Sequence, residues 1–394
     1  MKKNSCFPLI VSLVMIYLFA ACAGNNKTTS DNDLYVIDIQ KNYPTKKMKL
    51  QDIAEVEYLQ LETTDDLLWQ GPVSAFADNY IINMYVTNGD ILLFDRKGKA
   101  LRRINRQGNS GEEYSQYSTV LLDEENKELF VNDPRKRKLF VYDLEGNFKR
   151  VANLPEGHNY SKVENFDRTR LIVYNNVWEK EKPNVYYLLS KSTGEIEKEI
   201  IIPHEGEKLS AMQTVERNGN RVMFAFRTYD ISTACSEMTL NDLSNDTTFT
   251  INSSAELKPF VVQSSARASL DPELFMYCSM ESRDYLFLYT VEKYFVEGSR
   301  DFFTQKHLMY DKKEGKVYEQ DLSNDDFERE APFHISPQTT SFSPTNRNVY
   351  VTPLQAADLL DAYANNQLKG RLKEIAATLD EEDNPVLMIV RMKR

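Results

Sequence analysis

The feature that most constrains this fold is a hairpin-like pattern that recurs six times along the chain. Each copy opens with a turn of Asn, Asp or Gly and continues as a run of β-branched and aromatic residues, a composition typical of strands. The copies are Ala77–Tyr85, Glu124–Asp133, Phe166–Asn175, Arg217–Phe226, Glu281–Thr290 and Pro344–Pro353. Such regular repetition indicates a repeat architecture.

A second hairpin follows each of the first five copies. The clearest are Ile91–Ile104 and Leu139–Val151, and looser ones are Val185–Ile200, Glu237–Ile251 and Leu308–Gln320. Two hairpins make a four-stranded unit, and units roughly 40 to 65 residues apart suit the blades of a propeller. The sequence therefore predicts an all-β fold, a six-bladed β-propeller.

The two ends of the chain supply the strands that the last unit lacks. A helical segment follows the sixth copy, and after it comes a single strand-like run, Asn384–Lys393. Near the other end, Ala54–Thr63 alternates like a strand but has no hairpin partner nearby. A blade shared by both ends would remove the exposed edge of an open sheet. We therefore expect the N- and C-terminal strands to close one propeller domain over residues 34–394.

The helical segment is a short insertion in the sixth unit. Thr352–Gln355 has a capping-box pattern with Pro353 at the first helical position. Apolar residues then recur at steps of three or four from Leu360 to Leu379. Gly370 is expected to divide the segment into two helices.

The N-terminal 33 residues carry a targeting signal rather than a part of the propeller. Phe7–Ala21 is almost wholly apolar, follows two lysines, and is shorter than the roughly 20 residues of a membrane span, as in a secretory signal. The sequence "FAAC", which ends at Cys22, resembles the lipobox of bacterial lipoproteins. That resemblance implies a signal peptide over 1–21 and a lipid on Cys22. The alternative is an ordinary signal peptide that contains a cysteine.

Residues 22–33 are expected to form a flexible tether, because they are polar and have no apolar periodicity. Ala23 stands where the familiar inner-membrane retention signal has Asp. By that resemblance the protein is an outer-membrane lipoprotein, facing either the periplasm or the cell surface. Of the other cysteines, Cys6 lies in the signal, and Cys235 and Cys278 are interpreted as buried free thiols, although an exported location permits a disulfide.

The charge of the chain opposes nucleic-acid binding. The net charge is −11, and removal of residues 1–21 takes away two lysines and no acid, which makes it −13. Proteins that bind nucleic acids need a basic surface. No nucleic-acid partner is therefore expected.

Two stretches carry a family resemblance. "FDRKGKALRRINRQGNSGEEY" (Phe94–Tyr114) resembles the NHL-type repeat, in which a strand, a glycine-bearing loop and an aromatic residue join successive blades. The segments "IDIQKNYPTKKMKLQDIAEVEYLQLET" and "EEDNPVLMIVRMKR" together resemble a family of six-bladed β-propeller lipoproteins of Gram-negative bacteria. The resemblance implies the fold and the cell-envelope location, and it supplies no catalytic residue.

No catalytic, metal or cofactor site is predicted. The four histidines, His158, His204, His307 and His334, are scattered and form no metal-binding motif. The sequence contains neither a nucleophile elbow nor a P-loop. Carboxylates that converge only in the folded chain stay invisible at this level, so a propeller hydrolase, lactonase-like or glycan-cleaving, remains the alternative.

Three features fall in loops on the face where successive blades are joined. One is the insertion Glu292–His307, which holds four candidate binding residues: Tyr294, Phe295, Phe302 and Phe303. Another is the helical segment, and the third is the basic run Arg135, Lys136, Arg137 and Lys138, expected near Arg102, Arg103 and Arg106. Extra mass and aromatic residues on one face favour recognition of a partner. The alternatives are that the aromatics pack under the insertion, the helices cap the channel, and the basic run is solvated.

These observations predict a binding or scaffold module of the cell envelope, held at the membrane through Cys22, with a protein or a glycan as its partner. An enzyme is the less favoured interpretation. A third hypothesis is a sensor or assembly factor beside an outer-membrane transport system.

Overall fold

The computed structural model describes residues 34–71, 73–175, 186–202, 212–217, 220–225, 229–266, 269–295, 303–328, 332–335 and 348–393. Side chains are described for these residues except 212–217, 220–225, 294, 295 and 332. The N-terminal part of this region contributes β1 (Tyr35–Ile37), β2 (Thr45–Lys49), α1 (Leu50–Ile53) and β3 (Ala54–Gln60). No helix in the described ranges is long and apolar enough to cross a membrane.

Three four-stranded antiparallel sheets follow, each made of strands consecutive in the chain. Blade 1 consists of β4 (Ala75–Phe76), β5 (Tyr80–Tyr85), β6 (Asp90–Asp95) and β7 (Ala100–Ile104). Blade 2 consists of β8 (Thr119–Asp123), β9 (Glu128–Asp133), β10 (Lys138–Asp143) and β11 (Phe148–Asn153). Blade 3 consists of β12 (Tyr160–Asn165), β13 (Arg170–Asn175), β14 (Tyr186–Ser190) and β15 (Ile196–Ile200).

The second half of the ring contains one hairpin and three larger sheets. The hairpin is β16 (Met212–Arg217) with β17 (Asn220–Ala225). Blade 4 consists of β18 (Tyr229–Ser232), β19 (Met238–Asp242), β20 (Thr247–Ile251) and β21 (Leu257–Gln263). Blade 5 consists of β22 (Leu274–Glu281), β23 (Tyr285–Phe295), β24 (Phe303–Asp311) and β25 (Lys316–Ser323), to which β26 (Pro332–Phe333) is added. The last segments are β27 (Val349–Leu354), α2 (Ala356–Ala364), α3 (Gly370–Ala376) and β28 (Val386–Met392).

The fourth predicted unit forms its first hairpin, β16 with β17, but within the described residues this hairpin is not part of the blade 4 sheet. The run Arg217–Phe226 was expected to start a blade, but β17 pairs with β16 in a separate two-stranded sheet. The short strand β18 pairs with β19 in its place. Ile231 of β18 is 2% exposed and packs with Leu240 of β19, so this strand supplies the apolar contact that the blade needs.

The prediction that both ends of the chain complete one blade is confirmed. In blade 6, β28 lies between β27 and β3 and pairs antiparallel with each of them. Its register runs from Val386 opposite Gln60 to Met392 opposite Ala54. Because the three strands come from opposite ends of the described chain, the ring closes through hydrogen bonds between those ends.

The segment before β3 runs along the outside of the two preceding blades. Strand β1 pairs in parallel with β21 of blade 4, and β2 pairs in parallel with β25 of blade 5. Lys46 of β2 lies 2.7 Å from carboxylate oxygens of both Asp311 and Glu314. A lysine-rich outer strand discourages edge-to-edge association with other chains.

The apolar core lies between neighbouring blades. Six clusters of buried side chains fill the six gaps, so every blade is packed on both sides. Representative contacts in ring order are Leu93 with Val131, Phe130 with Val173, Leu188 with Leu240, Val261 with Leu288, Phe287 with Val390, and Ile389 with Leu92. The all-β, six-bladed prediction is therefore confirmed.

The helical insertion forms between β27 and β28, as predicted, but its start was wrong. Pro353 belongs to β27, opposite Leu387, and α2 begins after Gln355, which makes no side-chain capping bond. The strand register with β28 continues through the predicted capping box and prevents the helix from starting there. Gly370 begins α3 with φ of +49°, which confirms the predicted division into two helices.

Candidate functional site

One face of the ring carries the loops in question, and we call it the upper face. The innermost strands of blades 2 and 3 begin there, and their second strands end there: Thr119 pairs with Asn132, and Tyr160 pairs with Asn175. The loops between second and third strands therefore open on the same face as the starts of the blades. The basic run and the insertion both lie in such loops.

In the basic run, the Lys136 side chain forms hydrogen bonds within the protein. Its Nζ donates three hydrogen bonds of 2.7 to 3.3 Å to backbone carbonyls of loop 108–113. Burial raises the pKa of the Asp133 carboxyl, but hydrogen bonds from backbone N–H groups lower that pKa by a larger amount. The net shift of the pKa is therefore downward. Arg135 and Arg137 are exposed. Lys136 thus positions the loop, and the two arginines remain the candidates for binding a partner.

The three nearby arginines each have an acceptor of their own. Arg106 donates from Nε to the Gly146 carbonyl at 2.8 Å. Arg102 lies 3.7 Å from the Glu145 carboxylate, and Arg103 lies 3.9 Å from that of Asp90. These contacts belong to blades 1 and 2 themselves, and a joint anion site of these arginines with the basic run stays a prediction.

Of the aromatic candidates in the insertion, Phe303 is the one whose side chain is described. It is 9% exposed and packs in a cluster with Phe275, Tyr277 and Tyr289. Phe295 pairs with Phe303 through the backbone. Phe302 and the side chains of Tyr294 and Phe295 lie outside the described residues. The Phe303 side chain is therefore packed inside the protein, as in the alternative in which the aromatics pack under the insertion.

A cavity of about 230 Å³ lies beside this insertion, between blade 5 and the two segments, around residues 39–40 and 270–272, that run from the blade 4 sheet to the blade 5 sheet. Its walls come from four separate parts of the chain. The lining residues are Ile39, Gln40, Leu270, Asp271, Pro272, Leu274, Thr290, Glu292, Thr304 and Lys306. We call it the inter-blade pocket.

Strand alternation places the polar side chains in this pocket. Leu286 and Leu288 of β23 point into the core shared with blade 4. Side chains alternate along a strand, so Thr290 and Glu292 continue on the same side. By the same rule Lys306, two residues before the buried Leu308 in β24, lies on that side. Both strands thus carry their apolar stripe into the core and end in polar groups at the cavity.

The polar groups of the pocket are both donors and acceptors. Thr290 is only 2% exposed. Within the described ranges, no hydrogen bond or ion pair engages the carboxylates of Asp271 and Glu292 or the Thr290 hydroxyl. The Lys306 ammonium donates to Asn42 Oδ1 at 3.2 Å and keeps further donors. The pocket can therefore exchange several hydrogen bonds with a small polar molecule.

Two buried amides link neighbouring blades. Asn132 donates to the Tyr160 carbonyl at 2.6 Å, across the boundary between blades 2 and 3. Asn241 donates to the Met276 carbonyl at 3.2 Å, across the boundary between blades 4 and 5. These bonds fix neighbouring blades to each other.

The described histidines are likewise engaged with aromatic neighbours. The His158 ring contacts Tyr160 edge-to-face, with 5.7 Å between centroids. The His307 ring stacks on His334 at 3.9 Å. Burial and the neighbouring His334 lower the pKa of His307 to about 4. His204 lies outside the described residues. In the part of the chain that the structure describes, no three His, Cys, Asp or Glu side chains come together as a metal site.

Sequence reasoning missed the inter-blade pocket. Glu292 and Lys306 lie near the two ends of the predicted insertion. Because an insertion between paired strands keeps its two ends close together, the sequence could have indicated that these two residues are neighbours. Gln40 and Asp271 gave no signal, because only the folded ring brings their segments together.

The six-bladed ring places this chain in the class of β-propeller proteins. The chain belongs to the family described as a domain of unknown function, DUF4934, whose pattern matches residues 34–391. None of the curated proteins matches this sequence.

Three solved structures show the range of similarity. A protein of Bacteroides fragilis NCTC 9343, assigned as exported, aligns with a TM-score of 0.61 at 17% identity over 92% of this chain and 99% of that chain. A DUF4221 member from Bacteroides vulgatus ATCC 8482 has a TM-score of 0.46 at 10% identity over 68% and 86%. Virginiamycin B lyase of Staphylococcus aureus has a TM-score of 0.34 at 11% identity over 68% and 88%. The first of these similarities supports the fold, and the other two carry no conclusion.

Proposed function

We propose that this protein is a lipid-anchored β-propeller of the cell envelope that binds a glycan in the inter-blade pocket. The observation that carries the proposal is the cavity of about 230 Å³, which is lined by two unengaged carboxylates, by hydroxyls, and by the Lys306 ammonium group with donors to spare. Its volume lies below the 300–1,000 Å³ usual for pockets of drug-sized ligands, which suits a single sugar unit of a longer chain.

The chemistry of the lining favours a sugar over a simple ion. A sugar hydroxyl donates one hydrogen bond and accepts others, and the pocket offers both kinds of partner. Asp271 and Glu292 supply acceptors, Lys306 supplies donors, and the hydroxyls of Thr290 and Thr304 supply both. A ligand of one charge would meet groups of the same sign in this pocket.

Binding to glycan arrays followed by calorimetry tests the pocket. Glu292→Gln and Lys306→Met each remove a charge-assisted hydrogen bond worth about 1.5–3 kcal/mol, so the Kd should rise about 10- to 100-fold. The matched control is Glu197→Gln, which changes an exposed carboxylate of blade 3. Equal affinity in wild type and both pocket variants would remove the pocket as the site. The absence of any glycan ligand would overturn the proposal.

The envelope location rests on the N-terminal segment. The lipobox-like "FAAC", the polar tract after it, and a fold like that of a protein assigned as exported support a lipid on Cys22. Several acyl chains hold a protein at a membrane more firmly than one. The NHL-like stretch Phe94–Tyr114 and the segments at both ends support descent from Gram-negative propeller lipoproteins. Cys22→Ser should move the protein from the membrane fraction to the soluble fraction, and a variant that stays bound would contradict the anchor.

One observation favours a second candidate, glycan hydrolysis. Asp271 and Glu292 place two carboxyl groups on the same cavity, and glycoside hydrolysis uses such a pair as acid and as base or nucleophile. Incubation with the glycan identified by the array distinguishes binding from cleavage. New reducing ends that disappear in both Asp271→Asn and Glu292→Gln would establish an enzyme, and an intact glycan would leave binding alone.

A further inference from the structure

Two cysteine side chains meet at the boundary between blades 4 and 5. Cys235 lies in the turn between β18 and β19, and Cys278 lies in β22, the innermost strand of the next blade. Their sulfur atoms are 3.3 Å apart. Cys235 is fully buried and Cys278 is 4% exposed, and both are free thiols in this structure.

The backbone on both sides of Cys235 is already fastened to blade 5. The Glu281 backbone N–H donates to the Ala234 carbonyl at 3.2 Å. The Ser236 N–H and hydroxyl donate to Glu281 Oε2 at 2.9 and 2.6 Å. Lys312 donates to the other carboxylate oxygen at 2.6 Å. A disulfide has an S–S length near 2.05 Å, so small side-chain movements suffice to form one.

We propose that Cys235 and Cys278 form a disulfide that joins blade 4 to blade 5 in the exported protein. The proposal rests on the export step of the proposed function, because export brings the chain to an oxidising compartment. The oxidant is a second disulfide, on a small molecule or an oxidoreductase. Two S–H bonds break and one S–S bond forms, while two electrons and two protons pass to the oxidant, which becomes two thiols.

The surroundings of the thiols set the order of events. The contact with Cys278, and then burial, raise the pKa of the Cys235 thiol well above its usual range. The thiolate is the attacking species in disulfide exchange, and it is scarce in the closed ring. The bond therefore forms during folding, before the two blades close over it.

The bond would also hold the walls of the inter-blade pocket. The cluster that contains both cysteines includes Ile39 and Leu270, two of the residues that line the cavity. Fixing blade 4 to blade 5 within this cluster would limit the movement of the segments around Ile39 and Leu270, which connect the two blades, relative to blade 5. This link does not depend on which ligand the pocket binds.

Mass spectrometry of the full protein from the membrane fraction tests the bond. The protein is denatured without reductant, alkylated and digested. The expected result is a linked pair of peptides containing Cys235 and Cys278 that separates on reduction. Alkylation of both thiols before reduction would overturn the proposal, and detection in the same digest of an N-terminal peptide that begins at a lipid-modified Cys22 shows independently that export took place.

A stability measurement tests the same bond without a variant. The two cysteines are 43 residues apart, and closing a loop of that length is expected to change the unfolding equilibrium constant about a thousandfold. Reductant should therefore lower the urea midpoint of the wild type and leave that of Cys235→Ser/Cys278→Ser unchanged. An equal midpoint of wild type with and without reductant would contradict the bond.

Discussion

Removal of β28 is the sharpest perturbation of the ring. This strand carries the seam between the two ends of the chain, with seven residue pairs to β3 and six to β27. Deleting residues 386–394 leaves β3 and β27 without the strand that joins them. The propeller would then open between blade 5 and blade 1.

The size of the effect follows from the burial of this strand. Six of its seven residues are buried. Burying a large apolar side chain contributes about 1.5–3 kcal/mol, so the strand supplies about 9–18 kcal/mol before entropy is counted. Domains have a net stability of about 5–15 kcal/mol. The deletion should therefore abolish cooperative folding.

A graded series of substitutions in β28 distinguishes the contribution of this seam from a general loss of stability. Ile389 is 1% exposed and packs against blade 1. Ile389→Val should cost about 0.5–1.5 kcal/mol, and Ile389→Ala about 2–5 kcal/mol. Urea unfolding is followed by the fluorescence of Trp69, which is buried in the same cluster. A deletion variant that unfolds cooperatively at the wild-type midpoint would refute closure through both ends.

Two charged groups give further predictions. Lys191→Ala leaves the Asp123 carboxylate, 2.6 Å away and 4% exposed, buried without its cation, so unfolding should become easier by about 3–5 kcal/mol in urea titrations. Recovery in Asp123→Asn/Lys191→Met would identify the unpaired charge as the cause, and an unchanged midpoint in Lys191→Ala would contradict it. Burial raises the pKa of Glu281, but Lys312 and other donors outweigh it and bring that pKa below the usual 4.5. The resulting stabilisation is present at neutral pH and is lost as pH falls below about 4.5. Melting scans from pH 6 to 3 should fall less steeply for Glu281→Gln, and parallel curves would contradict this.

Local patterns were sufficient to predict most of the ring. Hairpins such as Leu139–Val151 carry their turn residues and apolar run in one short stretch, and the structure forms β10 and β11 from this one. The closing strands were recognisable because Ala54–Thr63 alternates, Asn384–Lys393 is a single strand-like run, and neither has a hairpin partner nearby. Strand β18 was missed because it has only four residues, YDIS, which is too short for a recognisable strand pattern.

Contacts between distant segments were beyond local patterns. Strand β2, TKKMK, has no buried residue, and its place on blade 5 depends on parallel pairing with β25. The capping-box prediction failed because pairing with β28 outweighs the local helix signal at Pro353. The inter-blade pocket needs Gln40, Asp271 and Glu292 together, and nothing in the spacing of these residues indicates that they meet.

Hydrogen–deuterium exchange of the full chain, with and without the glycan that the array identifies, tests the central claim most directly. The account predicts slower exchange on binding at residues 270–274, 290–293 and 304–306, which form three walls of the inter-blade pocket. Blades 1 to 3 should exchange as in the free protein. Protection confined to other blades, or no protection at a saturating glycan concentration, would contradict the account.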